Sequence, residues 1–300
     1  TFVDDGTLQV GNGGTAGVLP GAAVVTSPGT LRYFRSDTPT LSSAFSGSGT
    51  LAFKGTGTSN QSSYTLTGNN SSLTGTLSIE SGARVSSTTA NQLGAAANVN
   101  VASGGQAFLN GGTYPNAFNI AGNGWTETAG QLGALRITGS ANITGPVTLT
   151  ADARISPYSG SGTISGSLTG TNNLEINATT SASFTGTLTY SGNGSAFTGA
   201  TTVSQGTLNL TGSLGGAVNV SSTSYAATLS GEGSIAGNLT LGAVGRGAGL
   251  IINPVTSGSL TVTGTLNVAE PGTVTAVTLS PAPSAVGTYT LINHGGTSAT

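Results

Sequence analysis

The chain has 300 residues, of which only 5% are charged, and its formal net charge is −2 at pH 7. Seven Lys and Arg spread along the sequence do not build the positive field that a phosphate backbone requires, so no nucleic-acid partner is expected. The absence of Cys excludes disulfides and thiolate metal centres, and no run of about 18 apolar residues could span a membrane. Glycine is abundant at 50 residues, yet 36% of the chain is hydrophobic and mean hydropathy is +0.14, which argues against a disordered linker.

In chain order, one short unit recurs: Gly, then Thr or another small residue, then an apolar residue alternating with a polar one. It reads GTLQV at 6–10, GTLRY at 29–33, GTLAF at 49–53, GTLSI at 75–79 and NVNV at 98–101. It continues as GALRI at 133–137, GPVTL at 145–149, GTLTY at 186–190 and GTLNL at 206–210. The last copies are GNLTL at 237–241, GSLTV at 258–262 and GTLNV at 264–268. Period-2 alternation marks a strand with one buried face, and a unit recurring every 20 to 26 residues marks a solenoid. The expected fold is all-β, a right-handed parallel β-helix formed as one rod over residues 1–300. At about 22 residues per coil it would have roughly 13 or 14 coils, and a length on the order of 60–65 Å. The expected inward ladder includes Leu8, Leu51, Leu77, Leu135, Leu208, Leu239, Leu260 and Leu266.

Three stretches leave this rhythm. Thr88–Ala97 (TTANQLGAAA) fits a short helical turn. Phe108–Gln131, which holds the single Trp (Trp125), lacks a clean unit and reads as a loop or a coil of altered cross-section. Beyond Pro271, GTYTLI at 287–292 is the last clear strand. The pattern runs to both ends, so the chain reads as a segment of a longer protein.

The stretch Phe197–Leu210 carries Phe197-Thr198-Gly199, then Thr201-Thr202-Val203, then Gly206-Thr207-Leu208. It resembles the passenger-associated β-strand repeat of bacterial autotransporters, and Gly287–Gly296 is similar to segments late in such passengers. The resemblance implies a parallel β-helix and a non-enzymatic adhesin or display rod on the bacterial outer surface or outside the cell. It implies a surface protein or glycan as partner. Copies of the chain itself are the alternative partner, in a fibre or surface layer, because open β-helix ends are sheet edges. A polysaccharide-active enzyme on the same fold is a third reading.

No residue pattern marks a catalytic, cofactor or metal site. Asp152 and Glu175, 23 positions apart, come nearest to two acids stacked on successive coils, the arrangement a glycosidase would need. His294 lies in a Gly-rich turn without a Gly-x-Ser-x-Gly partner. Gly11–Gly14 and Gly245–Gly249 lack the phosphate-loop Lys and read as turns. The Asn-x-Ser/Thr triplets at Asn142, Asn177, Asn219 and Asn238 follow from composition. Arg32, Tyr33, Phe34, Arg35 and Asp37 form the densest charged and aromatic cluster, with Tyr33 expected inward and the two Arg outward; it offers a contact patch. Thr187-Leu-Thr189 and Thr261-Val-Thr263 resemble the Thr-x-Thr rows of ice-binding solenoids, but the Thr positions do not recur at one spacing, which argues against that use.

Overall fold

In the strand Gly206–Leu210, Gly206, Leu208 and Leu210 are buried while Thr207 and Asn209 stay half-exposed. That alternation repeats from coil to coil, and it fixes the register between coils. A slip of one residue would turn every Leu to solvent. In the computed structural model the described residues are 1–94, 97–177, 184–221, 225–243, 247–252, 259–268, 275–280, 290–295 and 298–299. They form parallel strands stacked as a β-solenoid of about 11 turns, with a single short helix. The count falls below the expected 13 or 14 because several turns carry loops beyond the repeat unit. At ~4.8 Å per rung the rod is on the order of 50 Å long.

Three columns of inward side chains build the core. The first runs through Leu31, Leu51, Leu77, Val99, Phe118 and Val147. The second runs through Leu135, Ile155, Ile176, Val203, Val220 and Leu241. The third runs through Leu188, Leu208, Leu229 and Leu250; Val277 continues its register but is 50% exposed. The long strand Val147–Ser156 joins the first two walls, pairing at its start with Phe118–Gly122 and at its end with Leu135–Thr138. Near the start of the rod Tyr33, Phe45, Phe53 and Tyr64 replace aliphatic rungs, with ring centroids 5.0 to 6.4 Å apart.

Six of the eight expected ladder leucines are buried: Leu51, Leu77, Leu135, Leu208, Leu239 and Leu260. Leu266 is half-buried against the core. Leu8 is 38% exposed, a correction to the expected burial. It holds the proper register opposite Leu31, but only one neighbouring rung covers it.

The outward residues are ordered too. Thr7, Thr30, Thr50 and Thr76 align on the first wall. On the third, Ser161, Thr187, Thr207 and Thr228 form one row, and Thr163, Thr189, Asn209 and Ser230 form the next. The turns between these strands differ in length, which hides the rows in the sequence. The expectation that the Thr positions fall out of line is overturned for these coils.

The helical turn is Ala90–Leu93, inside the stretch expected, and it buries Leu93. His294 does not sit in a turn: it ends the strand Ile292–His294, opposite Val262, because Ile292-Asn293-His294 continues the period-2 pattern. The first three residues of the expected strand at 287–292 lie outside the described residues. Among the described residues no helix is long and apolar enough to cross a membrane.

Candidate interaction surface around an inserted hairpin

Between Phe118–Gly122 and Leu135–Thr138 the chain leaves the solenoid as a hairpin. Its strands Thr126–Glu127 and Gly130–Gln131 are the only antiparallel pair among the described residues. The two arms cross at Gly124 and Gly133, where a Cβ on Gly124 would lie 2.1 Å from the Gly133 carbonyl oxygen. Only glycine fits there, and both residues have positive φ. This is the altered cross-section expected over Phe108–Gln131, confined to its second half.

The hairpin folds back over the rod. Trp125 is buried, and its indole N–H donates to the Gln61 carbonyl at 2.8 Å. The Asn60 backbone N–H donates to the Thr126 carbonyl at 3.1 Å, and the Asn60 side chain pairs with Thr128. The hairpin thereby reaches a loop more than sixty residues earlier.

Under it lies a column of alternating cations and rings. The Arg84 guanidinium stacks 4.3 Å from the Trp125 ring, and Arg136 lies 4.5 Å from Phe108 and 5.0 Å from Tyr158. Glu127 pairs with both, at 3.0 Å from Arg136 and 3.8 Å from Arg84. Burial pulls Arg84 below its ordinary value, and the neighbouring Arg136 adds to that against the pull of Glu127. Leu132 and Phe184 seal the side of the hairpin, with Phe184 edge-on to Tyr158 at 5.2 Å.

Beside the hairpin runs an open groove of about 350 Å³ lined by Asn123, Asp152, Asn173, Glu175, Thr202 and Ser204. Arg154 joins the two features, donating to the Gln131 carbonyl at 2.6 Å and pairing with Glu175 at 2.7 Å. Ser204 donates to the other Glu175 oxygen at 2.8 Å. Asp152 and Glu175 therefore share a groove but do not stack as a dyad. The coil here is 21 residues, so Glu175 faces Arg154, and Asp152 accepts the Asn173 backbone N–H at 2.7 Å. The groove offers carboxylate, amide and hydroxyl groups to a hydrogen-bonding ligand.

The Arg32–Asp37 cluster is a fastening. Tyr33 is buried, as expected, and Arg32 pairs with Glu80 at 2.9 Å. Arg35, expected outward, is buried instead. It donates to the Gly17 and Thr15 carbonyls and pairs with Asp37 at 2.6 Å, drawing the loop around Gly11–Gly14 onto the wall. Its hydrogen bonds hold the Asp37 carboxyl below the usual carboxylate range. Phe34 carries the Lys54 ammonium at 5.0 Å.

Asn177 is buried, accepting from Ser156 and donating to the Gln205 carbonyl. Residues 244–246, which include the start of the expected turn at Gly245–Gly249, lie outside the described residues; Ala248–Ile252 is a strand. No three His, Asp or Glu side chains converge as metal ligands among the described residues. The sequence signals for the site itself were Trp125 next to Gly124 and the isolated Glu127. Periodicity could not show that distant Arg84 and Arg136 converge on them.

The chain matches no known protein family, no curated protein and no solved structure.

Proposed function

We propose that this solenoid is a non-enzymatic surface rod of the autotransporter-passenger kind, an adhesin displayed outside the bacterial cell that engages a protein or glycan at the groove beside the hairpin. The observation that carries the reading is the clamped hairpin next to a polar groove, set on a rod whose outer rows are otherwise mostly Ser, Thr and Asn. Such a wall holds ligand-binding groups in fixed positions along an extended scaffold. The Phe197–Leu210 repeat supports the same reading. Phe197 is buried, and the motif supplies the strands Thr201–Val203 and Gly206–Leu210 at a corner between two walls.

The test is protease shaving and antibody labelling of intact producing cells, with adhesion of the purified chain to surfaces coated with matrix proteins and glycans. The reading requires surface exposure and saturable adhesion that Thr202→Arg weakens. Confinement inside the cell, or adhesion indifferent to every substitution in the groove, would overturn it.

A further inference from the structure

The third wall carries two adjacent rows of small uncharged polar groups. Thr187, Thr207 and Thr228 follow one another in one row, and Thr189, Asn209 and Ser230 in the other, with no shift of register from strand to strand. We infer that this outer face binds ice.

The spacing is set by the backbone. Parallel rungs repeat every ~4.8 Å, and two outward residues on one strand stand roughly 6.7 Å apart. Both intervals lie near the repeats of water oxygens in hexagonal ice along its a and c axes. A face with these intervals can accept a layer of water already ordered as the lattice orders it.

The side chains are suited to hold that layer. Threonine is stiff about its first side-chain torsion, so its hydroxyl and methyl occupy fixed places. In the second row Asn209 donates to the Thr189 hydroxyl at 3.3 Å and Ser230 donates to Asn209 at 3.3 Å, which fixes those groups as well. The strands Ser161–Ile164, Thr187–Tyr190, Gly206–Leu210 and Ala227–Ser230 contain no charged residue, so no side chain imposes a tight hydration shell of its own. They also present no outward aromatic ring: Tyr190, their single aromatic residue, is buried. Sugar rings favour aromatic platforms, so the same array is a poorer fit to a polysaccharide surface. The first wall has a comparable Thr row, but Arg32 interrupts the row beside it.

Ice binding at this face does not depend on adhesion at the groove, so either can fail alone. The experiment is partition of the purified chain into slowly grown ice, together with inhibition of ice recrystallisation. The wild-type chain should enter the ice and suppress recrystallisation. Thr207→Tyr, which lifts a ring out of the array, should weaken both by about tenfold, the equivalent of roughly 1.4 kcal/mol. Thr187→Tyr provides a second variant should the first melt early, and Asn219→Tyr on the second wall should leave both activities intact. Exclusion of the wild-type chain from ice would overturn the proposal, as would equal losses in the Thr207 and Asn219 variants. Exclusion from ice with Thr207-dependent sedimentation on chitin or cellulose would overturn it in favour of a polysaccharide surface.

Discussion

Glu127 on the hairpin and Arg136 in the wall beneath it meet at 3.0 Å, both side chains largely shielded from water. The contact closes the hairpin over two guanidinium groups that would otherwise face each other uncompensated. Glu127→Gln should therefore destabilise the chain by roughly 3 kcal/mol, the usual order for breaking a buried pair on one side. Trp125, the single Trp, reports the consequence directly. Its emission should move to the red in the variant as the indole gains water, before the solenoid itself unfolds. An unshifted emission and an unchanged melting temperature would show that the hairpin is held by other contacts.

Leu208 and Leu8 occupy equivalent places in the repeat but not in the stack. Leu208 is 1% exposed and Leu8 38%. Leu208→Ala should cost about 2–5 kcal/mol, as buried leucine truncations do, and Leu8→Ala under about 1 kcal/mol. Denaturant melts of the two variants give the comparison. Equal losses would mean that the end rung is covered in solution.

Tyr190 lines an apolar cavity with its hydroxyl buried, and the Leu168 backbone is the one hydrogen-bonding group acting on that phenol. Burial pushes its phenol up to about 12. Because the folded value is raised above the unfolded value of about 10, this group's contribution to stability is complete below pH ~10 and is lost as pH rises through ~12. Tyr190→Phe removes a buried hydroxyl held only by the Leu168 backbone and should change stability at neutral pH by no more than about 1 kcal/mol. It should also shift the alkaline unfolding midpoint upward. A loss well beyond that at neutral pH would show that the hydroxyl is held by more than the Leu168 backbone.

Asp37 titrates in the opposite sense. Hydrogen bonding to Arg35 lowers its pKa, so its contribution is present above the unfolded value of about 3.9 and is lost as pH falls through the lower folded value. The loop around Gly11–Gly17 should become open to protease as the medium is acidified through that range. In Asp37→Asn it should already be open at neutral pH. Equal cleavage of both proteins at neutral pH would remove Asp37 from the fastening.

The fold was legible because one unit does two jobs. In GTL the Leu faces in and the Thr faces out, so period-2 alternation and the 20-to-26-residue recurrence together specify a parallel stack. The hairpin site was only half legible. Its glycines and Trp125 broke the rhythm visibly, but Asn60, Gln61, Arg84 and Arg136 come from other coils, and local pattern carries no information about them. Asp152 and Glu175 failed as a stacked pair for a related reason. A 23-residue separation suggested one coil, whereas the register of that coil is 21 residues, and two positions are enough to replace an acid with an amide. The Thr rows were hidden by the same variation in turn length.

The core columns, the groove and the Thr rows all depend on the register between coils. The chain contains no Cys, so introduced pairs can be read without background. Thr187→Cys with Thr207→Cys places two thiols on adjacent rungs, about 4.8 Å apart at the backbone; Thr187→Cys with Thr228→Cys places them two rungs apart, beyond the roughly 7 Å that a disulfide can bridge. Mild oxidation, followed by peptide mapping, should give an intramolecular disulfide in the first protein and none in the second. Cross-linking of the Thr187–Thr228 pair, or none in the Thr187–Thr207 pair, would contradict the stacking described here.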